Sequence, residues 1–204
     1  MIADDAVSSG SPRNPSEASD SVGWLQGPYS GRPASTSRTG GPALNIDIVR
    51  VPLDHVDAQR LIEEVQAEYV VRYGGADDTP LDPQMFEPPG GSFFVAYRDG
   101  AALATGAWRR REDVEVFGTR QTAEIKRMYV APAGRGTGLA RRMLAHLELT
   151  AAEHGAEAMI LETGTAQPEA MALYESAGYT PIPSFGYYRD APENRCYGLP
   201  LPVG

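Results

Sequence analysis

Residues 123–147 constrain this chain more than any other stretch. They read A-E-I-K-R-M-Y-V, then A-P-A-G, then R-G-T-G-L-A, then R-R-M-L-A-H-L. The alternation over 122–130 predicts a strand, and Leu139, Met143, Leu144 and Leu147 recur as the buried stripe of a helix. Gly136 and Gly138 stand where the intervening turn meets that helix. A helix N-terminus carries unpaired N–H donors, and side chains there would block the close approach of a phosphate. Glycines at this junction therefore suit an anion site, with Arg135 as a cation for a diphosphate. A plain tight turn would read the same way. Two rival phosphate motifs are excluded. No G-x-x-x-x-G-K-[ST] occurs, and G-x-G-x-x-G ends on Leu139 when begun at Gly134 and on Arg141 when begun at Gly136.

The chain has 204 residues, which predicts one domain plus an extension. Its apolar share of 42% and charged share of 22% are those of an ordinary globular chain. A net charge of -9 argues against a nucleic-acid partner and is compatible with a cationic substrate. Cys196 is the single cysteine, so no intrachain disulfide and no paired-cysteine metal site is possible. His55, His146 and His154 lack ligand-like spacing, and no metal is expected. Met1-Ile2-Ala3-Asp4-Asp5 lacks the basic start of a signal peptide, and no run approaches the roughly 18 apolar residues of a membrane span. These features predict a cytoplasmic protein without a membrane partner, as a monomer or homodimer.

Residues 1–43 stand apart. Ser, Gly, Pro and Thr supply 22 of these 43 positions, too few apolar groups to offset the entropy of ordering the backbone. A flexible tail is expected, with Trp24, Leu25 and Tyr29 able to dock it on a surface; residues 44–204 form the domain. Within it, a strand over 45–51 precedes a helix that Asp54 caps and Gly74-Gly75 ends. Residues 76–91 form a long loop with one helical turn near Met85-Phe86. Strands over 92–97 and 101–110 make a hairpin about Arg98-Asp99-Gly100. After the glycine-bearing helix come a strand over 157–162, a helix that Pro168 opens and Gly178 closes, and two short strands over 179–182 and 195–199. Hairpins, then βαβα, then a closing pair predict an α/β chain with a mixed sheet and helices on both faces.

The segment A-E-I-K-R-M-Y-V-A-P-A-G-R-G-T-G-L-A resembles motif A of the GNAT (GCN5-related) N-acetyltransferases, with R-G-T-G-L-A fitting R/Q-x-x-G-x-G/A. The later L-E-T-G-T-A-Q-P-E-A-M-A-L-Y-E-S-A-G-Y is similar to motif B. The resemblance spans about 45–199. It implies the GNAT fold: a mostly antiparallel sheet of six to seven strands, splayed between the fourth and fifth, with acetyl-CoA as co-substrate. The pantetheine arm would pair with the backbone of Met128, Tyr129 and Val130. The pyrophosphate would meet the amides from Gly136 through Thr137, Gly138, Leu139 and Ala140 to Arg141. Gln167 stands where Asn is common in the family, and a longer amide there weakens the expected contact.

The implied activity is transfer of acetyl to a small-molecule or peptide amine by direct attack in a ternary complex. An amine with the lysine pKa of roughly 10.4 must lose a proton first, and the departing sulfur must gain one. The resemblance makes Glu124 the leading base; the other reading is a strand glutamate paired with Lys or Arg. Glu162 is the rival base. The resemblance makes Tyr174 the acid, against a core tyrosine. The acceptor site is expected among Asp77 and Asp78 in the 73–91 loop, Trp108 and Arg109, and residues 185–188 including Tyr187. Cys196 is expected to be a buried structural thiol. A non-catalytic module that senses acyl-CoA or a metabolite would carry the same motifs.

Overall fold

The structure, a computed structural model, describes residues 45–202. The expected tail, with Trp24, Leu25 and Tyr29, lies outside the described residues. The elements run β1 (Ile46–Arg50), α1 (Val56–Tyr73), β2 (Gly91–Arg98), β3 (Ala101–Arg110), β4 (Thr122–Val130), α2 (Leu139–Glu153), β5 (Ala158–Gly164), α3 (Pro168–Ser176), β6 (Thr180–Pro181) and β7 (Asn194–Pro200). A short 3-10 turn, Pro83–Phe86, breaks the long loop after α1. No described helix is long and apolar enough to cross a membrane.

Local chemistry sets the element ends. His55 rather than Asp54 caps α1: its Nδ1 accepts from the Asp57 amide at 3.2 Å. Gly74 closes α1 in the left-handed conformation, its amide bonding to the Val70 carbonyl. Asp99 and Gly100 both have positive φ, the two-residue turn whose twist matches a hairpin. Pro168 opens α3, where its missing N–H costs no helical bond.

Seven strands form one sheet in the order β1-β2-β3-β4-β5-β7-β6. Only β4 and β5 are parallel. Helices α2 and α3 cover one face, burying Trp108, Leu139, Met143, Leu144, Leu147 and Met159. Helix α1 covers the other, where Ala58, Leu61 and Val65 meet Phe86, Phe93 and Val95.

Two irregularities shape the middle of the sheet. In β4, Thr105 stands opposite Tyr129 and Ala107 opposite Lys126, so Gly106 faces both Arg127 and Met128. This is a β-bulge, with Arg127 at a φ of 51°. It reverses the alternation. Ala123, Ile125, Met128 and Val130 face α2, while Tyr129 and Ala131 face α1. The sequence alternation places Glu124 on the face of Met128 and Val130; the bulge puts them on opposite faces. The second irregularity is the β4–β5 pairing. It holds at Thr122↔Ala158, Ala123↔Met159 and Glu124↔Ile160 and then stops. The strands part beyond that rung, as the resemblance implied.

Candidate active site

A cleft of about 520 Å³ opens at this parting. Tyr69, Tyr73, Asp77, Lys126, Glu162 and Tyr188 are among its walls. A recess of about 70 Å³ shares Lys126, Glu162 and Thr163 with the cleft and runs inward between the strands to Met128 and Tyr174. The cleft volume is in the usual range for a small-ligand site.

The loop after α1 is fastened to this cleft. Asp77 pairs with Arg127 on the bulge and also accepts from the Thr79 amide at 2.9 Å. The Tyr188 hydroxyl donates to Asp77 Oδ1 at 3.1 Å and accepts from the Asp78 amide at 2.9 Å. Burial alone would raise the Asp77 carboxyl, but the Arg127 guanidinium and the Thr79 hydrogen bonds hold it below its usual range. Asp77 and Asp78 thus both line the cleft.

Trp108, Arg109 and Tyr187, also expected at the acceptor site, line neither cavity. Trp108 is fully buried under α2, its indole N–H bonded to the Thr150 hydroxyl at 3.0 Å. Neighbours on a strand point to opposite faces, so Trp108 and Arg109 cannot line one site. Tyr187 is 60% exposed and stacks edge-on against Tyr188, which takes the wall position instead.

Glu124 is sealed. It has no solvent exposure, and its Oε2 accepts from Arg109 Nε at 2.8 Å and Arg111 Nη1 at 2.6 Å. Lys126 Nζ lies 3.5 Å from Oε1. Burial would raise this carboxyl, yet the three cations outweigh burial and hold it below the glutamate value. Glu124 lines neither the cleft nor the recess. A base must reach its proton and compete for it, and Glu124 does neither. The paired-glutamate reading is the one the geometry fits.

Glu162 has the opposite environment. It lines both cavities, and no cation approaches its carboxylate within 4 Å among the described residues. Asn194 Nδ2 donates to Oε1 at 3.4 Å. A Cβ on Gly186, which has a φ of 81°, would run into this carboxylate. Burial pushes the Glu162 carboxyl above the glutamate value, and Lys126 only partly offsets the rise. Tyr174 lies at the inner end of the recess, its hydroxyl 3.9 Å from Met128 Sδ. Burial raises the phenol well above its ordinary value, so it keeps its proton at neutral pH. Its ring also packs against Tyr179 and Tyr197, so both readings of Tyr174 have a structural basis.

The glycine junction has the features of an anion cradle. Gly136 and Gly138 have φ of 72° and 79°, and a Cβ on either would project into open space. Gly138 begins α2 with no side-chain cap and no acid in the first turn. The amides of Leu139, Ala140 and Arg141 are therefore among the helix donors without an intrahelical partner. Thr137 Oγ1 donates to the Gly134 carbonyl at 2.7 Å, while the Leu139 side chain anchors the helix in the core. Arg135 bonds to the Val130 carbonyl at 2.9 Å and pairs with Glu68. Both partners of that pair are partly solvated, so it is worth at most about 1 kcal/mol. Arg141 Nη2 reaches Ser176 Oγ at 2.6 Å. Gln167 lines both cavities at the start of α3, its Oε1 accepting weakly from Tyr73 and Thr163.

A model of the acetyltransferase (GNAT) family matches residues 58–179, which include the glycine junction, the bulge and the parting strands. The chain belongs to this family. It is an acyltransferase of the GNAT fold. An IAA acetyltransferase of Azospirillum brasilense is 34% identical over 158 residues, covering 77% of this chain and 99% of that protein. A GNAT-family acetyltransferase of Staphylococcus aureus superposes with a TM-score of 0.61 at 20% identity, covering 78% of this chain and 100% of that one. A Salmonella typhimurium protein solved with its cofactor acetyl-CoA superposes with a TM-score of 0.57 at 19% identity, covering 78% and 95%. These two likenesses concern the fold.

Sequence reasoning missed Lys126, Arg127 and Tyr69 as site residues, and had Tyr73 and Tyr188 only as members of the 73–91 and 185–188 spans. Gly106 inside β3 was the available signal for the bulge that turns Arg127, since an interior strand glycine often marks one.

Proposed function

We propose that this GNAT acyltransferase is an acetyl-CoA-dependent N-acetyltransferase, with Glu162 as base and Tyr174 as acid. The observation that carries the assignment is that an unpaired carboxylate and a protonated phenol share one recess between β4 and β5. Acetyl-CoA, when bound, supplies an activated acyl group as its thioester. The uncapped start of α2, the glycines before it and Arg135 fit a diphosphate. The backbone of β4 beyond Glu124, which β5 leaves unpaired, and Gln167 would hold the arm that reaches inward.

The residues then divide the proton work. Glu162 takes up the proton that an ammonium group must lose before its nitrogen can attack. Its raised pKa makes it a stronger proton acceptor than an ordinary glutamate. Tyr174 holds a proton at its hydroxyl for the departing sulfur. Attack is direct. Cys196 is buried, burial pushes its thiol up, and it lines neither cavity, so it offers no thiolate for an acetyl-enzyme step.

Incubation with acetyl-CoA and a panel of primary amines tests this, with free thiol as the readout. Amine-dependent thiol release is the expected result. Tight acetyl-CoA binding with no release above the amine-free rate would make the chain a binding module and overturn the proposal.

A further inference from the structure

Lys126 and Glu162 stand opposite each other across the parted strands. The last rung of the parallel ladder joins Glu124 to Ile160. Two residues further along each strand come Lys126 and Glu162, on one face of the sheet because side chains repeat every second residue. The bulge begins only after Lys126, so the parity holds to this point. Both residues line the cleft and the recess. The splay keeps them from pairing: no contact within 4 Å joins ammonium and carboxylate among the described residues.

The neighbouring arginines have partners, while the wall carboxylates Asp78 and Glu193 have no cation within 4 Å among the described residues. Arg127 is closed by Asp77. Arg111 holds both oxygens of Asp113, at 2.8 and 2.9 Å, and shares Glu124 with Arg109. Arg72 is closed by Glu68 and Glu169. Lys126 is left with one third of Glu124, at 3.5 Å, beyond normal hydrogen-bond length. Glu162 is left with one long amide contact from Asn194. At the parted strands the cleft therefore presents Lys126 as an under-used cation and Glu162 as the under-used anion facing it, held apart by the fold.

We infer that the acceptor is an amino acid, bound with its carboxylate at Lys126 and its amine at Glu162. The inference rests on the N-acetyltransferase reading above. A zwitterion supplies both missing partners and adds no net charge to a half-buried site. An amine without a carboxylate would supply a partner to Glu162 alone, place a second cation beside Lys126, and leave that ammonium desolvated without a full counter-charge. Glu124 gains a role here: locked by two guanidiniums, it holds Lys126 at the cleft floor as a positioning residue.

The test pairs α-amino acids with the amines left when their carboxylate is removed: alanine with ethylamine, phenylalanine with phenethylamine, lysine with cadaverine. The full chain and saturating acetyl-CoA are used, and thiol release gives kcat/KM. The best amino acid is expected to exceed its amine by roughly tenfold to a hundredfold, the range for a hydrogen bond to a charged group. Lys126→Met should collapse that ratio toward one by raising the amino-acid KM, and Lys126→Arg should restore part of it. Calorimetric titration of the same amino acid and amine without acetyl-CoA should show the same preference. Equal use of amino acid and amine by the wild type overturns the carboxylate site and leaves N-acetylation standing; this arm decides even if Lys126→Met does not fold. A Lys126→Met protein that keeps the wild-type ratio also overturns it. No thiol release from any compound overturns the acetyltransferase reading itself. Calorimetry then still decides the carboxylate site, which falls if the amino acid binds no better than its amine.

Discussion

Replacing Glu124 by Gln is expected to cost stability rather than proton transfer. The carboxylate is fully buried and shared among Arg109, Arg111 and Lys126, whose side chains are 12%, 13% and 9% exposed. The amide keeps the shape and removes the charge, leaving three largely buried cations around a neutral group. Removing one partner from a buried ion cluster costs about 3–5 kcal/mol. In a domain of this size each kcal/mol moves the unfolding midpoint by about 2–4 °C, so a drop of roughly 6–20 °C is expected. Thermal unfolding followed by circular dichroism at neutral pH measures it. The pH dependence has a definite sign. The Glu124 carboxyl is held below its unfolded value, so its contribution is complete above that value and is lost as pH falls through the folded one. Wild type should therefore lose stability toward acid more steeply than Glu124→Gln. A variant with the wild-type midpoint and a rate lowered by about a hundredfold or more would refute this reasoning and make Glu124 the base.

Two further substitutions address the cofactor loop and the acid. Gly138→Val should weaken acetyl-CoA binding in calorimetry, because φ at 79° strains a β-branched residue by about 1–3 kcal/mol and its side chain enters the phosphate approach. Unchanged affinity in a folded variant would remove the loop from the site. Tyr174→Phe should lower kcat by about 10²–10⁴, the usual span for a lost general acid, with a midpoint close to wild type because the hydroxyl meets only the Met128 thioether. Full activity would return Tyr174 to a core role.

Most of the architecture was legible in the chain. The bounds of β3 and β4, the left-handed Gly74 at the end of α1 and the Asp99-Gly100 hairpin all follow from local pattern and turn chemistry. The site was harder for identifiable reasons. Alternation assigns Met128 and Val130 to the face of Glu124, but one extra residue opposite Gly106 reverses that parity. The partners that seal Glu124 come from β3 and the loop after it, 13 and 15 residues earlier, and pairing across a ladder cannot be read from spacing alone. Tyr187 and Tyr188 differ by one position in an irregular loop, where nothing periodic says which ring turns inward. Glu162 was visible as a rival base. What distinguished it was an environment, burial without a paired cation, that only the parted strands create.

The most direct test of the account is the pH dependence of kcat/KM for amine acetylation in wild type and Glu162→Gln. Burial lifts the Glu162 carboxyl above the glutamate value. The wild-type rate should therefore rise with pH along a limb whose midpoint lies above about 4.3, as Glu162 loses its proton. Glu162→Gln should lack that limb and run about 10²–10⁴ slower at neutral pH. A Glu162→Gln enzyme that keeps the wild-type rate and limb would contradict the assignment of the base.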